Sequence, residues 1–248
     1  MAPHRRLDDG ERRPWVRTLI TVVVTVGIIA IVLGALAATS LASSSTRTAA
    51  NRIDVGDEPQ LAIRSTDADV RLVEGTSSDI VIRAEVTSGL LETGYELRRR
   101  GHEIEVVGSC MNWLSPGCGV VVTVAVPPKL PVLVATDTAD VTVSSLRDRV
   151  VTIATGSGDI RGSGLRVQEF SARAHDGDID ANFAEQPFAL KARSRSGDIF
   201  ARIPIGVIDY SLHIGSGSGD VRSGIKSVRG GKGIVQVVSD SGDILLRR

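Results

Sequence analysis

The sequence predicts an all-β chain, a β-solenoid-like stack of short strand repeats, preceded by one N-terminal transmembrane helix. Three observations predict it. A small residue-Asp-β-branched phrase recurs at near-constant spacing, period-two apolar columns lead into each copy, and a long uncharged run lies near the N-terminus.

The aspartates of the phrase are Asp69, Asp140, Asp159, Asp178, Asp198, Asp220 and Asp243, and from Asp140 onward the steps are 19, 19, 20, 22 and 23 residues. A fixed period of this size marks a stacked-repeat architecture. Eight positions before each Asp stand Leu61, Val132, Val151, Phe170, Leu190, Leu212 and Val235, and six before stand Ile63, Val134, Ile153, Ala172, Ala192, Ile214 and Val237. The residue after Asp is always Val or Ile, while the interleaved positions (Arg64, Thr152, Ser171, Arg173, Lys191, Arg193, His213, Gln236) are mostly polar. Spacing of two puts the apolar set on one strand face and the polar set on the other. Leu190, Leu212 and Val151 are therefore expected inside, and Lys191, Arg193 and His213 outside. Each unit is a strand, a tight turn and a second short strand. None can bury its apolar face alone, but a stack aligns the columns into one core.

The turn chemistry agrees. Gly158, Gly177, Gly197, Gly219 and Gly242 precede the Asp, where a positive φ would let the chain corner sharply; Ala68 and Ala139 stand there in the first two copies. Asp and Ser side chains are expected to bond the turn's own backbone amides.

Residues 1–17 are polar and rich in Arg, and the run from Thr18 to Ala42 carries no charge. About 20 apolar residues cross a bilayer, so 18–42 reads as a signal-anchor helix in contact with lipid. Arg5, Arg6, Arg12, Arg13 and Arg17 precede it against Arg47 and Arg52 after it, which places 1–17 in the cytoplasm and exports the rest; Trp15 suits an interfacial anchor. The rival reading is a cleaved signal peptide ending near the small residues at 35–37, although the run is longer than a usual signal core. Residues 43–52 read as a flexible linker. The folded domain is 53–248, with an irregular cap to about 131 and regular repeats over 132–248. The stretch between Asp69 and Asp140 breaks the period and reads as hairpins or irregular coils at the end of the stack, since terminal repeat units are commonly atypical.

Composition narrows function. Net charge is zero and aromatics make up 3% of the chain. No basic stripe or stacking platform suits nucleic acid. Cys110 and Cys118 are the only cysteines and lie close together in an exported segment, so a disulfide is the first reading and two unpaired thiols the alternative. The loop between them carries Met111 and Trp113, an apolar tip that reads as a lid on the end of the core. The histidines (His4, His102, His175, His213) have no paired nucleophile and no metal-ligand spacing, and the Ser residues beside Gly are turn residues rather than nucleophiles.

The seven aspartates are the one constellation open to a functional reading. Stacked coils lie about 4.8 Å apart, where two carboxylates repel by about 0.9 kcal/mol in water and about 3.5 kcal/mol at a dielectric of about 20. Such a ladder survives if it is solvated or bonded to amides. Calcium could relieve the repulsion, but calcium solenoids place ligands every nine residues or so, against one turn Asp in roughly twenty here. The turn-forming role is favoured, with no cofactor and no metal.

The Ser-Gly-Asp-Ile/Val phrases at Ser157, Ser196, Ser218 and Ser241, together with the VTVAVPPKLPVLVAT segment, resemble the bacterial putative-adhesin family of β-strand-repeat domains of unknown function. The resemblance covers about 53–248 and implies a solenoid-like extracytoplasmic domain; it supplies no catalytic residue. The function expected is a non-enzymatic binding, adhesin-like or scaffold module at the bacterial envelope, with an envelope protein or cell-surface ligand as partner. An envelope-stress sensor signalling through the span is the alternative. A polysaccharide-acting enzyme is weaker, for want of an aromatic-lined carboxylate groove.

Overall fold

A computed structural model describes residues 14–42, 45–54, 60–89, 91–101, 103–110, 117–147 and 149–248. Helix α1 spans Pro14–Ala42. The strands follow in order: β1 (Ser45–Ile53), β2 (Leu61–Ser65), β3 (Asp69–Glu74), β4 (Ile80–Ser88), β5 (Gly94–Arg100), β6 (Glu103–Ser109), β7 (Gly119–Val126), β8 (Val132–Thr136), β9 (Val141–Ser144) and β10 (Val150–Thr155). Then come β11 (Ile160–Leu165), β12 (Glu169–Ala174), β13 (Ile179–Phe183), β14 (Ala189–Ser196), β15 (Ile199–Arg202), β16 (Tyr210–Ser216), β17 (Val221–Ser223), β18 (Gly233–Ser241) and β19 (Ile244–Arg247).

Each repeat contributes its first strand to one sheet and its second to the other, with the Gly-Asp corner between them. The first sheet runs β16-β18-β14-β12-β10-β8-β2-β6-β5 and the second β1-β4-β7-β3-β9-β11-β13-β15-β19-β17. Pairing between repeats is parallel, and the register reproduces the sequence columns: Leu61, Val132, Val151, Phe170, Leu190, Val235 and Leu212 are successive Cα partners. Their side chains meet those of the second sheet in one core. Where Phe170 and Phe183 enter, edge to face at 5.8 Å, the neighbouring core positions shrink to Ala172, Ala174, Ala181, Ala192 and Ala201, all buried. Small neighbours around the two rings are what a close-packed interior demands.

The coils do not stack in chain order. The coil β2/β3 lies directly against β8/β9 although the intervening chain is long, because β4 to β7 fold away to its other side. There β6 and β7 make one more parallel coil, and β5, β4 and β1 add antiparallel strands outside it. At the other end the last coil of the chain, β18/β19, inserts between β14/β15 and β16/β17. Its core residues Val235, Val237, Ile244 and Leu246 are all buried. The coil β16/β17 carries Ser223 opposite Leu246 and two glycines, Gly215 and Gly217, so it is the one that tolerates a terminal place.

Two expectations need correction. Leu212 is half-buried rather than buried, because β16 is the outermost strand of its sheet among the described residues; Leu190 and Val151 are fully buried, and Lys191, Arg193 and His213 are exposed. Residues 45–53, placed mainly in a flexible linker over 43–52, form β1, paired with β4 from Ser45↔Ser88 to Ile53↔Ile80. The β-branched Thr46, Thr48 and Ile53 suit a strand. The described side chains of α1, residues 19–35, are exposed. Among the described residues no helix is long and apolar enough to cross a membrane. Residues 1–13, His102, the side chain of Trp15 and the loop 111–116 with Met111 and Trp113 lie outside the described residues.

Candidate functional site

The seven aspartates do form a ladder at one corner of the stack, but not through their own turns. Asp69 Oδ1 accepts the backbone N–H of Asp140 at 3.1 Å, Asp140 that of Asp159 at 2.9 Å, and Asp159 that of Asp178 at 2.9 Å. Asp178 accepts from Asp198 at 2.8 Å, Asp198 from Asp243 at 2.7 Å, and Asp243 from Asp220 at 2.9 Å. The order is spatial, with Asp243 ahead of Asp220. The next residue of each coil continues the ladder through backbone atoms, as when the Ile179 N–H donates to the Asp198 carbonyl at 2.9 Å. Each of these six accepting carboxylates therefore stands where the sheet runs out of carbonyls, capping the N–H that opens the neighbouring coil's second strand; Asp220, last in spatial order, only donates its N–H to the ladder.

A second ladder runs on the inner side of the same corner. Ser65, Thr136, Thr155, Ser194 and Ser239 are buried polar residues. Ser65 and Thr136 donate to carbonyls of their own turns, Ala68 at 2.6 Å and Ala139 at 2.9 Å. Ser194 and Ser239 donate to corner carbonyls of the adjacent coil, Gly177 and Gly197, each at 3.0 Å. The corner glycines are required by close approach rather than by positive φ: a Cβ on Gly158 would collide with the Ala139 carbonyl and one on Gly219 with that of Gly242. Among the five, only Gly242 has a positive φ.

Electrostatics at the corner are modest. Arg161 bridges Asp140 at 2.8 Å and Asp159 at 2.6 Å, and Arg222 reaches Asp220 at 3.1 Å. These pairs are largely exposed and contribute little stability. Burial raises the Asp69 carboxyl above its ordinary value, partly offset by the Asp140 N–H it accepts. Asp180 beside the ladder is likewise raised by burial, with Arg161 opposing. A shallow groove of about 230 Å³ is lined by Asp159, Asp178, Asp180 and Asp198 with Arg161 and Phe200. Among the described residues no group of three or more His, Cys, Asp or Glu side chains could hold a metal ion.

The His175 variant of the turn carries a small network of its own. His175 Nδ1 lies 2.7 Å from Asp176 Oδ2, Arg195 lies 2.7 Å from His175 Nε2, and Ser196 Oγ donates to Asp176 Oδ1 at 3.1 Å. The hydrogen bonds from His175 and then Ser196 hold the Asp176 carboxyl below its usual range. With Arg195 donating to Nε2, that nitrogen is an acceptor already in use, and no nucleophile faces it among the described residues.

Cys110 and Cys118 are disulfide-bonded. They tie the two ends of the segment between β6 and β7, whose sequence lacks the Gly-Asp phrase of the other coils, so a covalent link stands there where hydrogen-bond ladders stand elsewhere. The periodicity placed all seven aspartates in one column. It did not show that each reaches its neighbour, although identical side chains one coil apart are the signal that could have done so. The buried Arg149, whose Nε donates to the Arg147 carbonyl at 3.1 Å, had no sequence signal.

Residues 131–247 match the family described as Toastrack DUF4097. A putative cell adhesion protein from Clostridium sporogenes superimposes with a TM-score of 0.49 at 12% identity, covering 82% of this chain and 99% of that one. A putative adhesin from Bacteroides fragilis gives 0.39 at 9% identity over 82% and 98%, and one from Parabacteroides distasonis 0.34 at 7% over 80% and 96%. No curated protein matches.

Proposed function

Residues 131–247 of this chain are a Toastrack DUF4097 domain, and from that premise we propose a membrane-anchored, non-enzymatic binding or scaffold module that presents the flat faces of a rigid β-stack at the outer side of a bacterial envelope. The single observation that carries the reading is the use made of the most conspicuous polar column. Six of the seven ladder carboxylates, all but that of Asp220, are committed to a neighbouring backbone N–H. What would look like an acidic active edge is the seam of the stack, and the outward strand faces remain as the surface a partner can meet.

Anchoring is supported by α1. Its backbone is helical over Pro14–Ala42, the sequence from Thr18 to Ala42 is uncharged, and the apolar side chains from Leu19 to Leu33 are exposed. An apolar surface of that extent asks for an apolar surrounding, and the excess of arginines before it orients the repeat domain outward.

The test uses the full chain in native membranes. A reporter active only in the cytoplasm, fused after Arg248, is expected to be silent, and the detergent-solubilised chain is expected to co-sediment with isolated envelope polymer. An active reporter, or a chain that stays in the supernatant, overturns the reading. Removal of residues 1–17, with insertion retained, is expected to leave binding intact; loss of the cellular phenotype with binding preserved would instead make the chain a sensor.

A further inference from the structure

The outward face of the first sheet is uneven in charge. Five positions before the ladder Asp, the coils carry Arg64, Ala135, Ala154, Arg173, Arg193 and Val238 in spatial order, and seven before it Ala62, Leu133, Thr152, Ser171, Lys191 and Gln236. Arg173 and Arg193 are direct Cα partners on adjacent parallel strands, and Lys191 sits one row away beside Ser171. Like charges directly across a ladder repel, so this trio raises the energy of the free face. Arg193 has Asp240 at 3.6 Å; Arg173 and Lys191 have no ion-pair partner among the described residues. The short side chains of Thr152, Ala154 and Ser171 beside them leave a groove of about 300 Å³, closed on the far side by Gln236.

We propose that this groove binds a carboxylate-bearing polysaccharide, with Arg173 and Arg193 taking a carboxylate and Lys191 adding charge. The proposal rests on the binding-module reading and names its ligand class. Planar guanidinium groups match a carboxylate bidentately. Thr152, Ser171 and Gln236 offer hydroxyl and amide groups to a hydroxyl-rich chain. No aromatic side chain lines the groove, so stacking on a sugar ring is absent and charge carries the selectivity. The folded part after Arg52 holds 22 Lys and Arg against 26 Asp and Glu. The domain's net negative charge disfavours any polyanion away from this patch, so attraction is confined to the local cations of the groove. An open groove across parallel strands also suits an extended chain.

The experiment is fluorescence anisotropy of labelled polygalacturonate oligomers with the full chain in non-ionic detergent. Binding is expected, weakened by salt because the pairing is exposed. The double variant Lys191→Glu/Arg193→Glu is expected to lose at least about tenfold in affinity, which corresponds to about 1.4 kcal/mol, while melting like the parent. If the reversals disturb folding, Lys191→Gln/Arg193→Gln carries the same expectation. Arg202→Glu, on the opposite sheet, is expected to bind as the parent does. Equal affinity of parent and double variant, equal binding of neutral dextran, or tighter binding of polyphosphate overturns the proposal. A double variant that keeps its hold on envelope polymer sinks the groove alone, whereas a parent chain that never held envelope polymer sinks the binding-module reading.

Discussion

The two ends of the stack solve the same problem differently. An end coil has one face of its core residues and one edge of each sheet without a partner. At the N-terminal end the chain adds β5, β4 and β1 in antiparallel pairing outside the coil β6/β7 and ties that coil's corner with Cys110–Cys118. Val106, Val122 and Val124 in this coil are fully buried as a result. At the other end no further strand covers β16/β17 among the described residues: Leu212 and Ile214 are half-buried and Val221 is exposed. Next to it β18/β19, later in the chain, lies between two other coils. One end is covered by added antiparallel strands, the other carries a thinly covered coil beside a well-buried one.

The strongest way to break this comparison is to delete residues 233–248. In a stack ordered as the chain, trimming the last coil peels off an end; here it removes an inner one. Amides of 210–223 are expected to lose protection from hydrogen exchange, while those of β8 to β13 keep it. Persistent protection at 210–216 would mean that β16 docks on β14 unaided.

Next comes a matched pair in one column. Leu190→Asp puts a bare carboxylate among fully buried side chains, which is very costly, and is expected to abolish folding. Leu212→Asp, at the thinly covered end, loses about half a leucine's burial and is expected to cost about 1 kcal/mol in a denaturant titration. Equal damage would show the two ends to be equally covered. Replacing both cysteines by serine frees a corner of the covered end only. The loss expected is about 2.5 kcal/mol for a loop of this length, with faster exchange in β6 and β7 and none in β16.

The aspartate ladder gives a smaller and polar contrast. Asp198→Leu leaves the Asp243 N–H without its acceptor and is expected to cost about 1–3 kcal/mol; Asp198→Asn keeps a carbonyl oxygen there and is expected to cost less. Asp220 accepts no N–H from a further coil, so Asp220→Leu is expected to be nearly silent in thermal melting. A large loss at Asp220 would reveal a partner at the open end. The smallest effect is a pH dependence at the covered end. The Asp69 carboxyl is raised from 3.8 by burial, so its contribution is full below that pH and is lost as pH rises through the folded value. Asp69→Asn, which retains an acceptor for Asp140, is expected to melt slightly higher at neutral pH, with the gain vanishing below about pH 3.8. A gain that persists in acid would point to packing rather than charge.

The sequence by itself determined the strand faces, the corners and the core columns, because side-chain alternation has period two and each coil repeats it. Val151 and Leu190 inside, Lys191 and Arg193 outside, and the pairing of Cys110 with Cys118 were all legible from spacing. The tertiary structure alone decided which coil neighbours which. Period and pattern are the same for β16/β17 and β18/β19, so they cannot say that the later coil lies inside the earlier one. That order rests on burial at single positions such as Leu246 and Ser223. It also decided the direction of the Asp hydrogen bonds, since an acceptor one coil away is as near as an amide in the same turn but is far along the chain. The cationic groove has the same origin: Arg173 and Arg193 become neighbours only when two coils are laid side by side in register.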